Sequence, residues 1–374
     1  MRIMLAGDVM LGRGMDQILP HPDPDALFED TVTSALEYLR LAEVRNGPIP
    51  HPADYTYPWG DAIDTLDRVA PDLRIINLET AVTRRGRAEP KGINYRMAPE
   101  NLPSLSAVAI DGCILANNHV LDWGVEGLAD TLSALDRSRI ARAGAGMDQE
   151  EAARPAVFSL TDGGRLLAYG FAMRSSGVPR HWAAGEGRPG VNWLAGTSDQ
   201  DVEQVARRLA GDRRPGDVIL VSIHWGPNWG YEVPEEHRAF ARRLIDQAGA
   251  HLIHGHSSHH LKGIEFHRGH LILYGCGDLL NDYEGIRGMD EYRPDLVLIY
   301  LPSLDAEGRC VDLLLTPFRL AKFRLNHIDA PDDRRALKRL LAMACRRAGS
   351  TITIEEAAAP TEEGAWLRIL PPGR

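Results

Sequence analysis

The stretch "LIHGHSSHH", Leu252 to His260, packs four histidines into nine residues. Imidazoles at that density fit a metal site or a polar loop, and the stretch alone does not decide between them. Other apolar runs also stop on residues able to bind a metal. "IMLAGD" stops at Asp8, "IINLE" at Glu79 and "CILANNH" at Asn118 and His119. "VILVSIHWG" carries His224, and the histidine tract carries His256 and His259. Carboxylates, imidazoles and an amide oxygen make a mixed nitrogen–oxygen donor set. Such a set suits one or two divalent ions of the Mn, Zn or Fe kind, and not a soft thiolate site. Two ions sharing a carboxylate would stabilise both the attacking and the leaving oxygen of a displacement. Singly, each residue has a plainer reading: Asp8 as a turn residue, Glu79 as a cap, Asn118 in a left-handed turn, His224 as a core histidine. Their common place at the ends of apolar runs favours a site.

Those runs must be the elements that position the chemistry. Arg2–Ala6, Leu73–Asn77, Cys113–Ala116, Leu166–Phe171, Val218–Ile223, Leu252–His254, Leu271–Tyr274 and Leu296–Leu301 read as strands covered on both faces. Between them, Pro24–Val44, Trp59–Val69, Val125–Ser138, Asp201–Ala210, Pro234–Gly249 and Asp332–Ala348 carry helical patterns. Alternating strands and helices predict a layered α/β domain. In such sheets ligands bind beyond the carboxyl ends of the strands, where Asp8, Glu79, Asn118, His224, His256 and His259 fall. We expect one domain over residues 1–320, with a helical insertion at about 20–57 and a long loop at about 174–197. Residues 321–374 read as a helix and strand extension packed on the same domain.

Composition bounds the function. The 374 residues are 44% hydrophobic and 25% charged, ordinary for a globular protein with its own core. The formal net charge of −10 gives no basic face for nucleic acid. Four cysteines far apart, without a C-x-x-C pair, read as buried thiols in a reducing compartment. The opening "MRIMLAGDVMLGRG" is too short an apolar run for a signal peptide, and no stretch is long enough for a membrane span. A cytoplasmic location is therefore expected. Oligomeric state has no signature.

The motifs "GDVMLGR", "INLET", "LANNHVLDWG", "VSIHWG" and "LIHGHSSHH" followed by "LILYGCGD" resemble, in order, the CapA family of capsule-synthesis proteins. That family is part of the calcineurin-like metallophosphoesterase superfamily. The resemblance spans Gly7 to Asp278. It implies a four-layer α/β/β/α sandwich of two mixed sheets flanked by helices. It also implies a ligand set: Asp8 on a first metal, Glu79 bridging, Asn118, His224 and His256 on a second, and His259 returning to the first. His119 would act as acid or electrophile, oriented by Asp122. Two positions depart from the superfamily pattern. Met10 stands where a histidine is usual, and G-H-S-S-H replaces G-H-x-H.

Further candidates surround this set. Arg13 could clamp a carboxylate or phosphate of the substrate, or make a surface salt bridge. Lys91 and Arg96 are alternatives for the same task. Trp225, with Trp229 and Tyr231, could wall a pocket or simply close a loop. Asp278, Asn281 and Asp282 could cap the site from another strand end. The leading expectation is a metal-dependent hydrolase acting on a phosphoester or a γ-glutamyl amide. By resemblance this ties to poly-γ-glutamate metabolism and to a small, peptide or polyglutamate-like acidic substrate. Some proteins of this pattern are peptide epimerases of lasso-peptide tailoring, which is the second expectation. A non-catalytic polymer-binding capsule protein is the third.

Overall fold

The computed structural model describes residues 1–160, 163–357 and 366–371. Every apolar run named above contributes to a strand, although the strand at Cys113–Ala116 stops at Ile114 and that at Leu271–Tyr274 stops at Leu273, and these strands lie in two mixed sheets. In the first, Ile3–Val9, Leu73–Leu78, Gly112–Ile114 and Ala141–Ala143 lie side by side and parallel. Leu296–Leu304 continues this sheet antiparallel on the other side of Ile3–Val9, followed by Cys310–Ala321, Trp366–Ile369 and Ile354–Ala357. A three-residue strand, Asp278–Leu280, also runs parallel to the upper end of Ile3–Val9. In the second sheet Arg165–Met173, Val218–His224, Leu252–His256 and His270–Leu273 are parallel neighbours.

Alternation along one strand explains the layering. In Val218–His224, Val218 and Leu220 join the core cluster that also holds Ile3, Leu5 and Ile75 of the first sheet. Ile219, Val221 and Ile223 point the other way. They pack with Val202, Val205 and Leu209 of helix Asp199–Asp212, and with Phe240 and Leu244 of helix Glu235–Asp246. Side chains two apart share a face, so a strand buried on both sides must be apolar throughout. The outer face of the first sheet is covered by Leu66 of helix Ala62–Val69 and by Leu128, Leu132 and Leu135 of helix Gly124–Arg137. The result is a four-layer α/β/β/α sandwich. Its parallel strands place Asp8, His224 and His256 at one end, with Glu79 following Leu78 there.

One expected helix is shorter than its pattern. Of Pro24–Val44, only the end is helical, in Leu36–Asn46. Before it the chain folds back on itself through an Ala26–Ser34 bridge, with Ala35 N–H on the Asp25 carbonyl at 2.7 Å. Glu29 is drawn out of any helix by Arg13 and by the Tyr38 hydroxyl. All four cysteines, Cys113, Cys276, Cys310 and Cys345, are buried. Among the described residues no helix is long and apolar enough to cross a membrane.

Candidate metal centre

Asp8 is fully buried at the end of its strand. The step before it is tight: a Cβ on Gly7 would stand 1.9 Å from the Gly277 carbonyl oxygen. Only glycine lets the strand come so close to the Gly275–Gly277 turn, whose Gly277 carbonyl accepts the Asp8 N–H at 3.0 Å. The same approach sets Asp278 opposite Asp8 in parallel register.

Asn77 holds the acids in place. Its side-chain amide donates to Asp8 Oδ1 at 2.7 Å and to Glu79 Oε2 at 3.1 Å. Asn117 in turn donates to Asn77 Oδ1 at 3.1 Å, which fixes the amide's direction. The other oxygen of Glu79, Oε1, lies 3.8 Å from His119 Nε2 and 3.9 Å from His224 Nε2.

Two groups of potential ligand atoms, each within 4.8 Å of one another, share Asp8: Asp8, His224 and His256 form one, and Asp8, His259 and Asp278 the other. In the first, the Nδ1 atoms of His224 and His256 face each other at 2.7 Å, and His256 Nδ1 is 3.8 Å from Asp8 Oδ1. Asn118 Oδ1 lies 3.0 Å from His224 Nε2. In the second, His259 Nδ1 meets Asp278 Oδ1 at 2.9 Å, and Asn281 donates to Asp278 Oδ2 at 2.7 Å.

The proton positions around His256 follow from its partners. His254 Nε2 lies 3.0 Å from the Ala6 carbonyl, which can only accept, so that nitrogen carries a proton. His254 Nδ1 is then an acceptor for the Ser222 hydroxyl, 3.0 Å away. Ser222 Oγ, having given its proton, accepts from His256 Nε2 at 2.8 Å. That leaves a bare lone pair on His256 Nδ1, turned toward Asp8 and His224, as a metal ligand requires. We therefore expect Ser222→Ala to weaken metal affinity by about 10- to 100-fold with the fold intact. Competition against a chelator measures it, and an unchanged affinity would refute the relay.

Electrostatics favour a cation here. Burial, and then the neighbouring Asp278, push the Asp8 carboxyl up to about 7. Burial, then Asp8 and Asp278, push Glu79 well above the carboxylate range. Burial keeps His224 and His256 far below the usual imidazole range, and so neutral. Burial also opposes charge on His259, but Asp278 and Asp8 outweigh it and raise the group. Buried acids that resist ionising, beside neutral imidazoles with a lone pair free, are a donor set that a divalent ion would satisfy. The residues fit a metal ion.

His119 and Asp122, expected from sequence to act together, lie in contact. His119 Nδ1 is 2.6 Å from Asp122 Oδ2. Lys91 flanks it, with its ammonium 2.6 Å from Asp122 Oδ1 in an ion pair and hydrogen-bonded to the Asn118 carbonyl. Lys91 Nζ also lies 3.3 Å from His119 Nδ1. Both contacts cannot be made by one ring nitrogen with one proton. The shorter contact, to a carboxylate, sets the tautomer: Nδ1 carries the proton and Nε2 faces Glu79.

Several expectations need correction. Arg13 is not available to a substrate. Its Nε and Nη2 grip Asp282 at 2.9 and 2.5 Å, and its Nη1 holds Glu29 at 2.8 Å. It lies 3.8 Å over the Tyr38 ring and is only 3% exposed. Arg13 thus pins the 20–35 segment to the strand-end face. Arg13→Met leaves two buried carboxylates without their cation and is expected to cost about 3–5 kcal/mol in denaturant unfolding. A loss under about 1 kcal/mol, the range of surface pairs, would contradict this. Trp225 is likewise no pocket wall. It is buried on the helix side of the second sheet, stacked on His237 at 4.8 Å with its Nε1 donating to the Tyr274 carbonyl. Being one residue after His224, it faces away from the ligands. Asp8 is shared by the two groups of potential ligand atoms, while Glu79, given the bridging place by resemblance, lies beside them, hydrogen-bonded to Asp8 and with Oε1 3.9 Å from His224 Nε2. Arg96 is paired with Asp23. His254 and His260 are held by backbone carbonyls and aromatic neighbours. Asp278, expected only as a cap, is itself a potential ligand. It joins the group from which a histidine at position 10 is missing, and Met10 instead meets the Tyr283 hydroxyl at 3.7 Å.

The family model described as "Bacterial capsule synthesis protein PGA_cap" matches residues 2–283. The chain is 47% identical over 333 residues to a "Probable polyglutamine synthesis accessory protein" of Mycobacterium tuberculosis, covering 88% of this chain and 87% of that protein. It is 25% identical over 286 residues to the "PGA biosynthesis protein CapA" of Bacillus subtilis, covering 76% of this chain and 64% of that one. Among solved structures, a 5′-nucleotidase precursor from Thermus thermophilus aligns at 15% identity with a TM-score of 0.45, over 95% of this chain and 61% of that one.

Proposed function

The chain belongs to the bacterial capsule synthesis protein family PGA_cap, and on that premise we propose that it is a metal-dependent hydrolase of γ-glutamyl amide bonds in poly-γ-glutamate metabolism. The observation that carries the reading is Asp8 shared between two potential metal-binding groups, with the His119–Asp122 pair turned toward them across Glu79. The names of the relatives, a PGA biosynthesis protein and a polyglutamine synthesis accessory protein, support the substrate class.

Asp8, His224, His256 and Asn118 would hold one ion, and Asp8, His259 and Asp278 another, of the Mn, Zn or Fe kind. Bound there, a divalent ion lowers the pKa of water toward neutrality and polarises an acyl or phosphoryl oxygen. The chain's own groups handle the proton. Burial holds His119 down at about 4, so it enters the reaction neutral, with Nε2 ready to accept. Asp122 accepts a hydrogen bond from Nδ1–H and stabilises the ring once Nε2 has taken a proton from the attacking water. His119 then returns that proton from Nε2 to the leaving nitrogen. Tyr95, edge-on to the ring at 4.6 Å, limits its rotation.

The test is incubation of the metal-loaded protein with γ-linked glutamate oligomers and with a simple phosphoester in deuterated water, followed by mass spectrometry. Metal-dependent cleavage of the γ-linked oligomer is expected. Cleavage of the phosphoester alone would reassign the substrate. Deuterium uptake at Cα without cleavage would mark an epimerase. No change of any kind would leave a binding role and refute the hydrolase reading.

A further inference from the structure

A polar cavity lies beside the residues of the candidate metal centre. Its volume is about 240 Å³, and its walls include Arg45, Asn281, Tyr283, Asp290, Arg293 and Arg319. Two of these also belong to the surroundings of the metal groups. Asn281 donates to Asp278 Oδ2 at 2.7 Å and accepts from the Tyr283 N–H at 3.0 Å, and the Tyr283 ring stands edge-on to His259 at 5.2 Å. The cavity is thus separated from the second group, that of His259 and Asp278, by a single layer of side chains.

The charges on its walls divide into those with partners and those without. Arg293 and Arg319 share Asp295 and Asp333 in a four-membered network. Glu284, also on the wall, accepts from Asn46 and from the Lys322 and Phe323 backbone N–H groups. Among the described residues, Arg45 has no carboxylate partner and the Asp290 carboxylate has no cation. Arg319 Nε is buried without a hydrogen-bond acceptor, its nearest carboxylate oxygen being 3.7 Å away on Asp295. A buried N–H of that kind costs free energy until something accepts from it. The groups left over are one guanidinium and one buried N–H for an anion, and one carboxylate for a cation, around one small cavity.

We infer that this cavity binds the zwitterionic end of an α-amino acid, its carboxylate toward Arg45 and Arg319 Nε and its ammonium toward Asp290. The volume suits a ligand of amino-acid size. Two sources offer the same chemistry. A free amino acid carries both charges. So does the amino-terminal residue of a γ-linked glutamyl chain, because the γ-amide leaves its α-carboxylate and α-amine free. An α-linked chain has no such group. The inference stands whether or not the centre is a hydrolase.

Calorimetry on the full chain tests it, with L-glutamate, γ-glutamylglutamate, α-glutamylglutamate and N-acetyl-L-glutamate as probes. Each titration is repeated on the Asp8→Asn chain, so that chelation by a metal is not counted as cavity binding. We expect saturable binding of L-glutamate, of the γ-dipeptide, or of both, with or without metal. Binding of both would show that the free amino acid suffices, and binding of the γ-dipeptide alone would identify the chain end. The N-acetyl and α-linked probes should bind at least about tenfold more weakly, and so should either accepted probe to Arg45→Ala or Asp290→Asn. Both residues are exposed, and unchanged metal content would show that these variants remain folded. Equal binding of N-acetyl-L-glutamate, indifference to both substitutions, or no saturable binding of any probe would overturn the inference.

Discussion

Asp8→Asn is expected to abolish metal binding at both groups at once, lowering affinity by more than about 100-fold, since even outer partners of metal ligands are worth 10- to 100-fold. Asp8 is the only ligand the two groups share. The same substitution should make the metal-free protein more stable near neutral pH. The sign follows from linkage. The Asp8 carboxyl titrates at about 7 in the fold, above the usual carboxylate range, because burial and Asp278 oppose its charge. Its contribution to stability is therefore fully present in acid and is lost as pH rises through about 7. Asparagine, always neutral, carries no such penalty. In the native chain a bound ion relieves it, so the metal-dependent rise in melting temperature should grow between about pH 5 and pH 8, and metal uptake should release protons. At about a thousandfold excess over Kd this stabilisation is worth about 4 kcal/mol. Thermal unfolding with and without Mn or Zn across that range measures both effects. A destabilised Asp8→Asn protein that still gains from metal would show Asp8 to be merely structural.

His119→Ala is expected to reduce kcat by about 10²- to 10⁴-fold, the usual contribution of a positioned acid–base group, without loss of bound metal. His119 belongs to neither group of potential ligand atoms, its Nε2 standing 3.8 Å from Glu79 Oε1, so the donor set survives its removal. Asp122→Asn should fall in the same range, because an amide in place of the carboxylate no longer selects the Nδ1 tautomer or stabilises the charged ring. Activity measured at matched metal content separates this role from ligation. If His119→Ala retained full activity, or lost its metal, the assignment of His119 to proton transfer would be wrong.

Much of this is legible in the sequence because apolar runs that end in Asp, Glu and His report both a buried strand and the end at which it stops. Parallel strands then bring Asp8, Glu79, His224 and His256 to one face without any long-range knowledge. Ser222 can be found the same way, since residues two apart share a face and Ser222 precedes His224 by two. The same rule turns Trp225 away from the site. Asp278 is harder. Its place beside Asp8 depends on a three-residue strand paired across some 270 residues of chain, and a Gly-Cys-Gly turn looks like any other turn. Arg13 misleads for a similar reason: of the two carboxylates that claim its nitrogens, Glu29 lies 16 residues away and Asp282 lies 269 residues away. The helix expected from Pro24 loses its first half to that same contact, a tertiary pairing that overrides local propensity.

The most direct test is the number of metal ions per chain after reloading with Mn or Zn, counted by plasma mass spectrometry in the native protein and three variants. Two ions are predicted for the native chain, one for His256→Gln, one for Asp278→Asn and none for Asp8→Asn. A native chain that holds no ion, or variants that all hold as many as the native chain, would contradict a centre built on Asp8.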